Sequence, residues 1–321
     1  MNTMQYIQVK NDTYRIAYDL RLRNKFTFLI GDSATGKTQL SRLISSWLDF
    51  EEQGRRSATT VKSSLQVNVL NGLEKLQNFK NGILIVDENY TSLIKKNLEY
   101  LTKSNAYYVF VFRELLNIPF GVYDICKFSA NTTNGYTINT LVPLYEMKEF
   151  SVIPECVITE DQASGYKFYK STLSTKCISA KGKTRIAKSV RVLANKGVNN
   201  ILLVVDEVGF GFEFSKIVDI CSSREMRNKD IYIWLPKSFE YVLLNSGMFT
   251  EIDDFLEDPY DSWDLSKYST VEKYISAVLN REMKKKLGVR YSKGEDMLKY
   301  FKDYKLMIFN RNFTNYEKLL K

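Results

Sequence analysis

The strongest constraint on the fold is a glycine-containing segment between an apolar run and an amphipathic stretch. Residues 26–30 predict a buried strand, and residues 31–38 have the form Gly-x-x-x-x-Gly-Lys-Thr. Gly31 and Gly36 let the backbone curl so that successive N–H groups point inward, and the helix predicted from about Lys37 adds its positive dipole end. The pattern predicts a cradle for phosphate groups; a glycine turn without a ligand is the alternative interpretation.

This segment resembles the phosphate-binding loop of the P-loop NTPases. The resemblance implies that the ligand is a nucleoside triphosphate, which we expect to be ATP, with GTP as the alternative. It also implies that Lys37 contacts the β- and γ-phosphates and that the Thr38 hydroxyl holds Mg²⁺. The residues expected to line the nucleotide are Gly31, Asp32, Ser33, Ala34, Thr35, Gly36, Lys37 and Thr38.

A second apolar run, residues 82–86, ends in Asp87 and Glu88. It has the Walker B form, in which a buried parallel strand delivers an aspartate to Mg²⁺ beside the phosphate-binding loop. We expect Asp87 to bind the metal and Glu88 to polarise the attacking water. An apolar strand that merely ends in two acids is the alternative if the run is taken alone.

The short spacing between these two segments resembles compact AAA+ or STAND-like ATPases. Residues 107–112 form another apolar run, which is similar to the sensor strand of that group and is followed by Arg113. The resemblance implies that Arg113 senses the γ-phosphate in its own chain or serves a neighbouring subunit of an oligomer. A surface arginine at a strand end is the competing interpretation.

Composition excludes several classes of chemistry. Histidine is absent, which rules out Ser-His and Cys-His catalysis and histidine metal ligands. The four cysteines form no Cys-x-x-Cys pair, so we expect reduced core residues. No apolar run approaches the roughly 20 residues that span a bilayer, and the N-terminus lacks a signal-peptide core. We therefore expect a cytoplasmic protein without membrane contact, whose catalysis depends on carboxylates, lysine, arginine and Mg²⁺.

The second half has a strand–helix rhythm without another phosphate-binding loop. Two of its apolar runs end in acids, at Glu160 and at Asp206. If these strands are parallel neighbours, their carboxylates converge at one edge of a sheet and need a divalent cation to offset the repulsion.

The two acids and the glycine turn at residues 180–183 resemble the TOPRIM domain of topoisomerases, primases and overcoming-lysogenization-defect nucleases. The resemblance implies Mg²⁺-dependent phosphodiester chemistry, with Glu160 and Asp206 as ligands. The family's Asp-x-Asp is interrupted here by Val208, so Glu207 or Glu240 would have to substitute. An α/β domain with solvated acids at its strand ends is the alternative.

The expected fold class is α/β, with a parallel P-loop sheet in residues 1–148 and a TOPRIM-like domain in residues 149–250. Residues 251–321 are expected to form an acidic linker and a basic helical region, with helices at residues 268–280, 282–287 and 294–304. Residues 266–321 carry a net charge of +8, which suits nucleic acid, although a solvated helical surface explains it equally well.

Three functional hypotheses follow. The first is an ATPase whose nucleotide state controls a nucleic-acid-processing domain; fused domains of this kind resemble bacterial and phage defence nucleases. The second is an ATP-dependent switch with an inactive TOPRIM-like domain that binds nucleic acid or a partner protein. The third is an AAA+-type loader or remodeller that works as a homo-oligomeric ring.

Overall fold

The structure is a computed structural model of the 321-residue chain. It describes residues 4–31, 36–150, 153–173, 175–304 and 316–319. The chain divides into two compact units, the first comprising Met1–Tyr145 and Tyr260–Thr270 and the second Glu146–Pro259 and Val271–Lys321. The chain therefore passes from one unit to the other three times.

The described residues of the first unit form a nine-stranded sheet and four α-helices. The strands are β1 (Gln5–Asn11), β2 (Ile16–Leu22), β3 (Phe26–Leu29), β4 (Thr59–Ser63), β5 (Gln66–Val69), β6 (Gly82–Asp87), β7 (Tyr107–Val111), β8 (Ile125–Thr133) and β9 (Tyr136–Pro143). The helices are α1 (Lys37–Glu52), α2 (Leu73–Asn78), α3 (Thr91–Lys96) and α4 (Leu98–Lys103). The strand order is β4-β1-β2-β9-β8-β3-β7-β6-β5.

The parallel sheet predicted for this unit is only part of what is observed. Strands β8, β3, β7, β6 and β5 are parallel neighbours, whereas β8 pairs antiparallel with β9, and β1 pairs antiparallel with both β2 and β4. A two-residue turn joins β8 to β9, with positive φ angles of 50° at Asn134 and 77° at Gly135. A connection this short allows only an antiparallel pair, so the sheet is mixed and mostly parallel.

The centre of the first sheet is strongly apolar. Every residue of β3 and β7 is buried, as are the first five of β6. Helix α1 adds Leu40, Leu43 and Ile44, which share one helical face as their spacing predicts. Because these strands are covered on both faces, their polar functional groups can lie only where the strands end.

The described residues of the second unit form a six-stranded sheet and seven α-helices. The strands are β10 (Met147–Phe150), β11 (Cys156–Thr159), β12 (Lys176–Ser179), β13 (Asn200–Val204), β14 (Asp230–Trp234) and β15 (Tyr316–Leu319). The helices are α5 (Ser164–Thr172), α6 (Ile186–Asn195), α7 (Gly211–Cys221), α8 (Phe239–Leu244), α9 (Asp253–Glu257), α10 (Val271–Leu287) and α11 (Leu298–Phe301). The strand order is β10-β15-β14-β13-β11-β12, and β14, β13, β11 and β12 are parallel.

The C-terminal region differs from its prediction. Helix α10 is one continuous helix, because neither glycine nor proline interrupts it at Arg281, and the helix expected over residues 294–304 is limited to α11. Residues 271–321 are not a separate body: α10 contacts α8, and β15 pairs with β10 and β14. Charge and composition, on which the predicted boundary rested, carry no information about such long-range pairing.

Two predictions from composition concern residue chemistry and membranes. The four cysteines are buried and form no disulfide among the described residues, which agrees with the expectation of reduced core residues. Across the described parts of the chain, every helix is too short or too polar to cross a lipid bilayer.

A buried lysine ties β3 to the end of α4. The ammonium of Lys25, which precedes β3, donates hydrogen bonds to the carbonyls of Thr102, at 3.0 Å, and of Ser104. Burial lowers the pKa of Lys25 to about 8. A lysine at the last carbonyls of a helix satisfies groups that the helix leaves unpaired.

We expect this lysine to make stability depend on pH. Between about pH 8 and its ordinary pKa of 10.5, Lys25 is protonated in the unfolded chain and neutral in the folded one, so the unfolding free energy rises across this window. Urea unfolding at a series of pH values should show the wild type gaining stability relative to a Lys25→Met variant. A Lys103→Met variant changes an exposed position of α4 and keeps Lys25, so its unfolding free energy should rise with pH as in the wild type. Equal slopes of unfolding free energy against pH for the two variants would contradict the assignment.

Candidate functional site

The first candidate site lies where β3 runs into α1. Gly36 precedes the helix with a φ of 83°. Its carbonyl accepts hydrogen bonds from the Tyr18 hydroxyl at 2.9 Å and from the Leu40 backbone N–H at 3.1 Å. Because the peptide group is planar and trans, the N–H of Lys37 points the opposite way. Tyr18 therefore fixes the orientation of the first N–H group of α1.

The ammonium of Lys37 folds back over the start of the glycine segment, where it donates to the Gly31 carbonyl at 2.7 Å. The side chain thus spans the segment from its last glycine to its first. The predicted nucleotide-lining residues Asp32, Ser33, Ala34 and Thr35 lie outside the described residues.

Thr38 and Asp87 line one cavity of about 610 Å³. Thr38 is the second residue of α1, and Asp87 ends β6, where its carboxylate accepts a hydrogen bond from the Asn89 backbone at 3.2 Å. Half of the other lining residues carry hydroxyls or amides, and four are charged: Arg42, Asp49, Glu52 and Lys75. The buried hydroxyl of Ser41, which also lines the cavity, has no hydrogen-bond partner among the described residues. A hydroxyl and a carboxylate on one cleft are oxygen donors of the kind that Mg²⁺ prefers, so these residues fit the predicted ion.

Glu88 and Arg113 also come together. Strand β7 lies between β3 and β6, so Arg113 emerges beside the residues that follow β6. Its Nε is 3.2 Å from Oε2 of Glu88, and the two side chains are 72% and 48% exposed. An ion pair this exposed contributes about 0–1 kcal/mol, so either partner can exchange it for another contact at little cost. Arg113 is thus both solvent-exposed and paired to the predicted catalytic acid.

The second candidate site lies at the carboxyl ends of β11 and β13. These strands are parallel neighbours, with Thr159 opposite Val204, and Glu160 and Asp206 follow them. Taken in chain order, the four parallel strands are arranged 2-1-3-4 with β11 first, so the connections leave in opposite directions between β11 and β13. Such a switch point opens a crevice at the strand ends, where open α/β sheets bind ligands.

The two acids are close and strongly perturbed. The Glu160 carboxylate accepts a hydrogen bond from the Asp206 backbone, and burial raises its pKa while Lys183 opposes that rise. Burial raises the pKa of Asp206 well above its ordinary value, and the carboxylates of Glu160, Glu240 and Glu272 raise it further. Like charges that lie close together in a half-buried site are the arrangement expected at the switch point.

Glu240 is one of the acids brought toward Asp206. Glu207 is buried, and its backbone N–H donates to the Pro236 carbonyl at 2.7 Å. The carboxylates that act on Asp206 are Glu160, Glu240, Glu272 and Asp161. Of these, Asp161 caps α5, since it accepts from the Gly165 and Tyr166 backbones at 3.1 and 2.7 Å.

Residues from the C-terminal part of the unit complete this cluster. The Tyr291 hydroxyl donates to Oε1 of Glu240 at 2.8 Å, and the Lys293 ammonium lies 2.6 Å from Glu272 and 3.9 Å from Glu240. Sequence inspection missed the role of Glu272, Tyr291 and Lys293, because they lie 66 to 87 positions beyond Asp206 in no recognisable motif.

The donor set of the second site consists of carboxylates, which suit Mg²⁺. Within the described residues, however, no three acidic or thiol side chains are arranged so as to hold a metal ion together. Glu160 and Asp206 supply two neighbouring carboxylates, and a third ligand would require a side-chain rotation by Glu240 or Glu272.

The basic C-terminal cluster predicted to meet nucleic acid is partly engaged within the protein. Lys285 pairs with Glu251 at 3.1 Å, and Lys293 pairs with Glu272. Glu251 belongs to the acidic stretch before the basic region, so part of the charge asymmetry seen in the sequence is neutralised by folding.

Comparisons of the chain with protein-family models, with curated proteins and with solved structures gave no match. The functional argument therefore depends on the two sites themselves.

We expect the contact between Tyr291 and Glu240 to contribute to folding stability. Glu240 is buried, so we expect Tyr291→Phe to destabilise the second unit by about 1.5–3 kcal/mol, the usual worth of a hydrogen bond to a charged group. Urea unfolding monitored by circular dichroism tests this. Tyr14→Phe, at an exposed tyrosine, should leave stability unchanged; an equally small effect of both substitutions would show that the contact is dispensable.

Proposed function

We propose that the chain binds and hydrolyses ATP with Mg²⁺ in its first unit and that the nucleotide state controls a TOPRIM-like second unit that processes nucleic acid. The observation that carries the first part is the convergence of Thr38 and Asp87 on one cleft, with Glu88 and Arg113 beside it and Lys37 spanning the glycine segment.

In this proposal each residue of the first site has a distinct task. Lys37 would exchange its contact with the Gly31 carbonyl for the β- and γ-phosphates, and the Lys37 N–H, oriented through Tyr18, would donate to phosphate. Thr38 and Asp87 would hold Mg²⁺, and the bound ion would neutralise part of the phosphate charge. Glu88 would accept a proton from the attacking water, and Arg113 would leave Glu88 for the γ-phosphate. Positioning and charge stabilisation of this kind need no histidine.

The proposed coupling would use the covalent connections between the units. The chain passes between the units three times, so a change of shape in the first unit would act on three connections to the second.

For the second unit, the supporting observation is the position of Glu160 and Asp206 at the switch point of neighbouring parallel strands. They would hold Mg²⁺ for phosphodiester cleavage. Glu240 would supply the further carboxylate that the family's Asp-x-Asp provides and that Val208 cannot. Lys183, whose charge acts on Glu160, would limit the repulsion between the acids and a phosphate.

A switch with an inactive second unit is the competing function. Val208 favours it, as does the lack of a metal-holding group of three acids among the described residues. In that case the unit would bind nucleic acid or a partner protein without cleaving it.

Two substitutions in the first site separate binding from hydrolysis. We expect Lys37→Ala to weaken Mg²⁺–ATP binding roughly 100-fold in titration calorimetry, because a cation aimed at the phosphates is lost. Glu88→Gln should preserve binding and reduce phosphate release roughly 100-fold, the usual effect of losing a general base. Glu114→Gln, an exposed acid paired with Lys95, is the matched control and should keep wild-type turnover. Absence of any ATP binding by the wild type would overturn the proposal.

Cleavage of plasmid DNA, or of single-stranded and duplex oligonucleotides, tests the second site. With Mg²⁺ or Mn²⁺, and with and without ATP, we expect the wild type to cut and the Glu160→Ala/Asp206→Ala variant to be inactive, because the paired ligands are gone. Asp219→Ala/Glu225→Ala removes two exposed acids of the same unit and should cut normally. No cutting by the wild type under any metal and nucleotide condition would favour the switch.

A further inference from the structure

One segment of the second unit contains basic residues and no acidic ones. Residues 162–205 contain nine lysines and arginines and not one aspartate or glutamate. Residues 266–321 carry a further +8, and the rest of the chain sums to −8. The segment between the two acids of the second site therefore differs from the C-terminal region in having no acid of its own to offset its charge.

Most of these cations lie on one surface, which we call the α6 basic face: Lys181, Lys183, Arg185, Lys188, Arg191 and Lys196. Helix α6 buries Ile186, Val190, Leu193 and Ala194, so its other side faces solvent. All members of the face except the half-buried Lys183 are exposed.

The face leads to the acid pair. At its start, the Lys183 ammonium donates to the Gly209 carbonyl at 2.9 Å and acts on the Glu160 carboxylate. From Arg185 to Lys196 the chain runs along α6 for on the order of 15 Å, at about 1.5 Å per residue. The surface is thus long enough to follow several phosphates of a nucleic-acid backbone.

Apart from Lys183, the cations of this face have no acidic partner among the described residues. Lys181, Arg185, Lys188, Arg191 and Lys196 form no ion pair within the parts of the chain that the structure describes. Elsewhere in the unit, by contrast, lysines such as Lys216, Lys285 and Lys299 are paired.

The placement of the charges also opposes helix stability. Arg185, Lys188 and Arg191 are spaced by three residues, so neighbouring like charges repel. Cations at the first turn of a helix oppose its dipole, and the first turn of α6 has no acid to compensate. Binding of an external anion would offset both the repulsion among these cations and their unfavourable interaction with the helix dipole.

We propose that the α6 basic face binds the phosphate backbone of nucleic acid and leads it to Glu160 and Asp206. The inference rests on the proposed nucleic-acid role of the second unit and replaces the C-terminal cluster as the main binding surface.

Fluorescence anisotropy with the full-length chain tests the proposal. The probes are short fluorescein-labelled DNA and RNA duplexes, with EDTA present to prevent cleavage, over a series of salt concentrations. Lys188→Gln/Arg191→Gln is compared with Lys284→Gln/Lys286→Gln, which removes the same charge from exposed positions of α10. Lys188→Arg/Arg191→Lys keeps the charge and should keep binding, and thermal melting confirms that each variant is folded.

We expect the α6 variant to lose roughly tenfold or more in affinity at low salt and to flatten the slope of log affinity against log salt by about two, since each phosphate contact contributes about 0.9. The α10 variant should change the slope by far less. Equal losses in both variants would show a dependence on net charge alone and overturn the proposal. Binding to anionic phosphatidylserine vesicles without binding to either duplex would do the same.

The cleavage assay keeps the two proposals apart. Binding that depends on the α6 basic face, without metal-dependent cutting, would leave this inference standing and reject the nuclease. Cutting that is unaffected by the Lys188→Gln/Arg191→Gln variant would support the nuclease and reject this surface.

Discussion

Both candidate sites depend on one constraint of parallel sheets. A strand covered on both faces has no place for charge along its length, so its polar residues collect where it ends. Parallel strands end at a common edge, and this edge therefore gathers side chains that are far apart in sequence. Asp87 and Thr38, at the start of α1, come to one cleft in this way across β7. Glu160 and Asp206 meet directly, because β11 and β13 are adjacent.

The two edges differ in their electrostatics. In the first unit, Glu88 and Arg113 are exposed and form an ion pair that solvent screens. In the second, Glu160 and Asp206 are half-buried, and the Glu160 carboxylate raises the free energy of the charged form of Asp206. Lys183 and the Tyr291 hydroxyl contribute compensating contacts at the rim of this cluster. The ion pair of the first site can therefore exchange its partners readily. The clustered carboxylates of the second site need a cation when they are charged.

The sequence predicted the elements that carry strong local patterns. The strands ending at Ile30, Asp87 and Phe112, and the helix after the glycine segment, lie close to their predicted positions. The order of the strands in the first sheet was not predicted, because it depends on pairing between distant segments. The contribution of Glu272 and Tyr291 was hidden for the same reason. Charge counts indicated a basic surface in the C-terminal region, because they contain no information about which cations form ion pairs with acids in the folded protein.

A half-buried pair of acids opposes the approach of any phosphate. In the proposed function, a phosphodiester would meet repulsion from Glu160 and Asp206 until a metal ion offsets it, and low solvent exposure weakens the screening of that repulsion. A row of cations that begins at Lys183 and continues along α6 would lower the electrostatic energy of the phosphodiester along its approach without neutralising the acids themselves. The segment between the two acids can carry this charge at no expense to the core, since α6 buries only its apolar side. The same connection from β12 to β13 would therefore supply the positive surface and return the chain to the acidic site.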